Sequence, residues 1–420
     1  MLVHRNTTRP FLPTNVQSTA GSRGKGKIDP SRFGASIPLA VTESSGKPRP
    51  YRQGLVPNVS PLRPHCLARD RLRLWIPLTR RRAEDTYGPI NISDDDLDRV
   101  LAVINVSWAS GTRETYGSGL LIFHVFCDLR KISEAQRCLA SSILMLTFIS
   151  SCAGSYSGKT LVNYFVAIRA WHTLHGQPWN MDNTEMKAVL DGAAILAPPS
   201  SRRPKREPFT PKLIASIRTQ LDLSNPLDAA VYACLTTTFW STARVGEFTL
   251  PNLKAFDPRL HVKRGEDRHG LQVTVFNLPF TKCSASGEEV YWARQDGVFD
   301  PEAALSNHFR INDPPPDAPL FAWKHSQGLR PLTRTEFLKR LGLVATTLSI
   351  DSLKGHGIRI GATLEYLLRG VPFDVVKSIG RWSSESFTLY LRQHAVVMAP
   401  YMQGTPILEP FTRYTMLLLR

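Results

Sequence analysis

The chain is short of acid, short of cysteine and short of long apolar runs, and each shortage excludes something. Its 420 residues hold 52 Lys and Arg against 35 Asp and Glu, a formal net charge of +17. Such an excess argues for a polyanionic partner and says nothing about fold. The six cysteines, at 66, 127, 138, 152, 234 and 283, form no C-x-x-C pair and are too sparse for a disulfide framework. Free thiols, a reducing compartment and no zinc are expected. The best apolar run, Ile143 to Ile149, falls far below the ~20 residues that a bilayer span needs, so no transmembrane helix is expected. The N-terminus lacks an apolar stretch followed by a small-residue cleavage site, and no secretory signal is expected.

The positive charge is unevenly placed. Residues 1 to 90 hold 16 Lys and Arg, 5 Asp and Glu and 11 prolines, with no sustained helical or strand period. Residues 1–92 therefore read as a basic, Pro-rich, disordered tail, adding sequence-independent phosphate contacts or serving as a solubilising leader. Residues 93–197 read as a helical domain. Ser93 precedes Asp94, Asp95 and Asp96 as an N-cap, and Leu97, Val100, Leu101 and Ile104 recur at helical spacing. Further helices are predicted from Thr112, over Ala140 to Ile149, over Lys159 to Leu174 and over Met181 to Leu190. Residues 198–208, rich in proline and carrying Arg202, Arg203, Lys205 and Arg206, read as a linker. That basic run and Arg80, Arg81 and Arg82 suit nuclear import or a DNA-facing linker, and Arg202, Arg203, Lys205 and Arg206 are expected to contact DNA.

Residues 209–400 read as a second domain, followed by a C-terminal segment, 401–420. Thr210 and Pro211 supply an N-cap and first-turn proline. Asp228 to Trp240 is nearly continuous in apolar residues and reads as a buried helix that delivers Arg244 at its end, with Glu247 available to orient it. Alternation in Leu271 to Leu278 and again in Glu289 to Ala293 predicts a hairpin with Lys282 near its tip. Asp300 with Pro301 starts another helix, and Thr333 with Glu336 forms a capping box for the next. The fold class is thus mainly α with a small β-hairpin element (α+β).

The chemistry concentrates in Gly355 to Arg392. His356 and Arg359 are three apart in a predicted helix and leave one face of it. Gly370 stops that helix, Phe373 to Ile379 forms a short second one, and the Gly380 to Ser384 turn leads to a third, which carries Tyr390. An imidazole, a guanidinium, the Trp382 indole N–H and a phenol are groups able to attack a phosphodiester without metal, and no carboxylate cluster accompanies them.

These residues, with the upstream Ala243-Arg244-Val245-Gly246-Glu247, resemble the tyrosine recombinases, the phage-integrase superfamily. Its pattern is an early Arg in A-R-x-G-E, a hairpin Lys, H-x-x-R, a His or Trp, and a nucleophilic Tyr. The resemblance implies catalytic roles for Arg244, Lys282, His356, Arg359, Trp382 and Tyr390, with Glu247 in support. Lys254, Lys263 and Lys324 compete with Lys282 for the part of leaving-group acid. It implies a SAM-like helical core-binding domain that closes a clamp on double-stranded DNA, where Lys159 and Arg169 meet phosphates or remain solvated surface charges. It further implies transesterification through a 3′-phosphotyrosine with no cofactor, no metal and no ATP, and a homotetramer on two DNA sites. The style is closest to recombinases of eukaryotic Crypton-type mobile elements, which would work in the nucleus; a bacterial origin would place the protein with the nucleoid. A DNA-binding derivative that no longer cuts, a type IB topoisomerase and a helix-turn-helix regulator remain as alternatives.

Overall fold

The computed structural model describes residues 47–78, 94–202, 206–269, 273–281, 284, 286–350, 353–383, 388, 395 and 397–399. The chain divides into two compact units, Met1–Arg203 and Pro204–Arg420. It is mainly α-helical, and the described strands form two small antiparallel sheets. Among the described residues no helix is long and apolar enough to cross a membrane, and no group of three or more His, Cys, Asp or Glu could hold a metal ion.

The first unit contains α1 (Arg71–Leu74), α2 (Asp94–Val106), α3 (Ser110–Leu129), α4 (Glu134–Arg137), α5 (Ser142–Cys152), α6 (Gly158–Leu174) and α7 (Asn183–Ile195). Side-chain caps start the last three: Ser141, Ser157 and Asp182 each accept a backbone N–H from the first turn. The core gathers Phe123, Phe148, Ile149, Trp171 and Leu174.

Residues 47–78 depart from the disordered tail predicted over 1–92, because they belong to this core. Leu72 and Trp75 are fully buried. Trp171 Nε1 donates to the Trp75 carbonyl at 2.7 Å, and His175 Nε2 meets the Leu72 carbonyl at 2.9 Å. Arg63 is buried against Asp128 and Glu134 at the end of α3 and on α4. Helix α3 admits this segment closely: a Cβ on Gly117 would stand 1.7 Å from the Ala68 carbonyl oxygen, so only glycine fits there. Proline and arginine gave the stretch its disordered composition, and a few large apolar anchors outweigh that average.

The second unit begins with α8 (Pro211–Thr219), capped by Thr210. Helix α9 (Pro226–Trp240) is buried from Asp228 to Trp240 and forms the centre around which the unit packs. It ends at Trp240 with Ser241 as its C-cap, and Thr242, the next residue, adopts φ 47°. The short α10 (Val245–Phe248) follows, then β1 (Asp267–His269), β2 (Val273–Leu278) and β3 (Glu288–Ala293) in one antiparallel sheet, order β1-β2-β3, with Phe276 opposite Val290 and Leu278 opposite Glu288. Next come α11 (Pro301–Asn312), the small ribbon β4 (Trp323–His325) and β5 (Gly328–Arg330), α12 (Arg334–Thr347), α13 (Gly355–Leu368) and α14 (Phe373–Ile379). Asp228 on α9 receives Arg340 of α12 in a two-pronged ion pair, Nε to Oδ1 at 2.6 Å and Nη2 to Oδ2 at 2.7 Å. The chain just before α8 lies on α13: the Phe209 N–H donates to the Gly357 carbonyl at 3.1 Å, and a Cβ on Gly361 would stand 1.9 Å from the Phe209 carbonyl oxygen.

Candidate active site

Four separate stretches of the second unit converge: the end of α9, the start of β3, the middle of α13 and the turn after α14. Helix α9 must stop once its apolar run ends at Trp240, and the left-handed Thr242 turns the chain so that Arg244 begins α10. Glu247, on the first turn of α10, accepts the Arg244 backbone N–H through Oε2 at 2.8 Å and Arg244 Nη1 through Oε1 at 2.8 Å. A single side chain therefore caps α10 and aims the guanidinium. Arg244 keeps 36% of its side-chain surface exposed, whereas Glu247 keeps 9%.

Arg381 reaches the same carboxylate from the turn after α14, Nη2 to Glu247 Oε2 at 2.6 Å, and places Nη1 2.8 Å from Glu288 Oε2 at the start of β3. Burial works to raise the Glu247 carboxyl. The Arg381 charge, with the hydrogen bonds and charge of Arg244, outweighs it and holds Glu247 below the usual carboxylate value. Arg381 adopts φ 56°. Thr242 and Arg381 are thus two non-glycine residues in the left-handed region, a conformation that costs on the order of 1–3 kcal/mol and concentrates at functional sites.

Arg359 rises from α13 into the same group and is 1% exposed. Its Nη1 donates to the Thr242 carbonyl at 2.8 Å, its Nη2 donates to the Gly380 carbonyl, and its guanidinium lies 4.3 Å from the centre of the Trp382 ring. Stacking of this kind holds a planar cation in one orientation. The contacts close on themselves: Thr242 precedes Arg244 by two residues, and Gly380 and Trp382 flank Arg381. His356, half-buried, sits one helical turn before Arg359 on α13.

Of the residues proposed from sequence, Arg244, Glu247, Arg359 and Trp382 are joined here, and His356 lies on the same helix as Arg359. Lys282 and Tyr390 lie outside the described residues, as do Arg203 and Lys205. The base of the Lys282 loop is described: Thr281 and Ser284 bond each other through main chain and side chain, and Ser284 Oγ donates to the Gly287 carbonyl at 2.9 Å. Of the competing lysines, Lys254 is exposed and Lys263 half-buried, while Lys324 donates its Nζ to the Ile311 carbonyl at 2.9 Å. Lys159, Arg169, Arg202 and Arg206 are all exposed. The sequence reading overlooked Arg381 and Glu288. The one available signal was a charged residue within a Gly-x-Trp turn; Glu288 had none, because only the strand register brings it there.

Tyr366 lies on α13, seven residues after Arg359. Its hydroxyl donates to the Trp240 carbonyl at 2.6 Å, and burial raises its pKa to about 12.

No family model matches the sequence, and no curated protein matches it. Solved structures do. The chain is similar to a XerH site-specific recombinase bound to a palindromic difH substrate in a post-cleavage complex, with 12% identity over 74% of this chain and 84% of that one and a TM-score of 0.49. It is similar to XerH bound to difH in a pre-cleavage complex, with 14% identity over 75% and 86% and a TM-score of 0.47. It is also similar to the XerA recombinase, with 14% identity over 74% and 98% and a TM-score of 0.35. The proteins in these three solved structures are recombinases.

Proposed function

We propose that the chain is a site-specific DNA recombinase that breaks and rejoins DNA through a covalent 3′-phosphotyrosine. One observation carries this reading: the A-R-x-G-E arginine, the H-x-x-R arginine and the G-R-W turn, more than 100 residues apart in sequence at the extremes, meet in one closed set of contacts. Tyr390 attacks the phosphodiester in line and releases a 5′-hydroxyl, with Lys282 as acid for the leaving oxygen and His356 serving proton transfer. Arg244, partly exposed and aimed by Glu247, neutralises charge on the non-bridging oxygens. The phosphotyrosine conserves the bond energy, so rejoining needs no nucleotide. DNA is the partner, a tetramer on two sites is the working assembly, and movement of a mobile element, in a eukaryotic nucleus, is the biological outcome.

A second reading has an observation of its own. Both Nη atoms of Arg359 are engaged by backbone carbonyls and the side chain is buried. Each Nη keeps a second N–H, but a side chain 1% exposed meets a phosphate only if the elements over it open. A protein in which they stay closed binds DNA without cutting it.

A nicked duplex carrying the element-end sequence separates the two. The leaving strand diffuses away, so a cleaving enzyme accumulates a protein-DNA adduct that survives denaturant. Tyr390→Phe should abolish the adduct and retain binding. An adduct mapped by peptide sequencing to a different tyrosine would remove Tyr390 from its role, and absence of any adduct on the true site favours the non-cleaving protein.

A further inference from the structure

A pocket of about 770 Å³ opens in the first unit where residues 47–71 meet α3 and α6. Its walls carry five cations, Lys47, Arg49, Arg52, Arg69 and Arg71, against one carboxylate, Glu114. Lys47, Arg49 and Arg52 are exposed and stand at the mouth, while Arg71 is 7% exposed and forms the floor. Arg71 Nη1 donates to the Gly117 carbonyl at 3.0 Å, and its guanidinium lies 5.6 Å from the Tyr51 ring centre and 5.4 Å from that of Trp75. Its Nε is buried without a hydrogen-bond partner among the described residues, and so is the Nε of Arg69.

This arrangement is unusual for a cation that serves packing alone. A buried guanidinium is ordinarily paired with a carboxylate, as Arg63 is with Asp128 and Glu134 in the same unit. The acidic groups acting on Arg71 are Tyr51 and Cys66. Burial pushes the Cys66 thiol up to about 11 and raises the Tyr51 phenol, so neither is an anion at neutral pH. Glu114 lines the pocket and Asp70 acts on Cys66 beside it, two carboxylates against five cations. Guanidinium groups with vacant donors, gathered in a concave site beside an aromatic ring, match the oxygen-rich, dianionic chemistry of phosphate.

We infer that this pocket is a phosphate site, in which Arg71 and Arg69 below and Arg52, Arg49 and Lys47 around the mouth take a phosphate group of a DNA strand. DNA as the source rests on the function proposed above. The phosphate site itself does not, since a free nucleotide presents the same group.

The test compares the full-length protein with Arg49→Glu plus Arg52→Glu, both at exposed positions, and with Arg71→Gln. Binding of a labelled random-sequence duplex is measured across a salt series, and thermal stabilisation by inorganic pyrophosphate is measured in parallel. Occupancy by DNA predicts that the double variant loses about tenfold in duplex affinity and that its salt slope flattens by about one to two. Unchanged duplex binding, with pyrophosphate stabilising the wild type and not the variants, assigns the pocket to a free phosphate compound. Neither effect in the double variant overturns the inference, and that variant decides alone if Arg71→Gln fails to fold. Neither readout involves cleavage. A protein that forms no adduct yet shows the tenfold loss keeps the phosphate site and loses only the recombinase reading.

Discussion

Arg381 and Arg244 share one carboxylate oxygen: Glu247 Oε2 lies 2.6 Å from Arg381 Nη2 and 2.8 Å from the Arg244 backbone nitrogen. The sharing makes Glu247 the joint between the A-R-x-G-E turn and the G-R-W turn. Through Glu288, Arg381 extends that joint to the base of the hairpin whose loop carries Lys282. Two carboxylates, Glu247 and Glu288, thereby link the two arginine turns to the start of β3.

Glu247→Gln keeps the shape of this joint and removes its charge. The rate of adduct formation on a nicked site is expected to fall about a hundredfold, the scale of loss that follows a misplacement of about 1 Å. The carboxyl is held below its usual value of 4.5 in the folded protein, so its ionised form stabilises the fold at neutral pH, and that stabilisation fades as pH falls through the folded-state value. Melting temperatures of wild type and Glu247→Gln should differ by a constant amount near neutrality and converge below pH 4.5. A gap that persists at lower pH would mean the charge is not what holds the joint.

Lys282→Ala should cripple cleavage of an ordinary phosphodiester and leave a 5′-bridging phosphorothiolate nearly unaffected, because sulfur leaves without a proton. If the sulfur substrate is no better, Lys282 is not the acid. Lys254 is then the next to test, ahead of Lys324, whose ammonium is bound to the Ile311 carbonyl.

Tyr366→Phe removes one hydrogen bond to the Trp240 carbonyl and is expected to cost about 1 kcal/mol of stability. Adduct formation at saturating DNA should be retained. A loss of adduct as complete as that of Tyr390→Phe would reassign the nucleophile to α13.

Trp75→Ala empties a fully buried site in the first unit and should cost about 3–5 kcal/mol, read from denaturant unfolding. Deleting residues 1–46, which ends before Lys47, should leave the melting temperature unchanged. It should flatten the salt dependence of duplex binding only if that stretch itself meets phosphates.

Much of this fold was legible because its signals are local. Thr210-Pro211, Asp300-Pro301 and Thr333 each cap the helix they announced, and Phe373 to Ile379 is bounded as Gly370 and Gly380 imply. The buried character of α9 could be read from its unbroken apolar run. What escaped depends on distant partners. Nothing in the composition of residues 47–78 reveals that Trp75 meets Trp171, since the donor to its carbonyl lies 96 residues later. Strand β1 escaped because three residues carry no period. The polar centre was half legible: Arg244, Glu247 and Arg359 announce themselves by motif, but Arg381 is brought in by a left-handed turn and Glu288 by strand register.

The seating of Phe209 on Gly357 and Gly361 has a mechanical consequence. Phe209 is the first residue beyond the basic, proline-rich segment that leaves the first unit, and it is fastened to α13 at points on either side of Arg359. The chain entering the second unit is therefore held directly on the helix bearing His356 and Arg359. A larger residue at 361 would meet the Phe209 backbone and unseat this strap, so the hold on the helix depends on the absence of one methyl group.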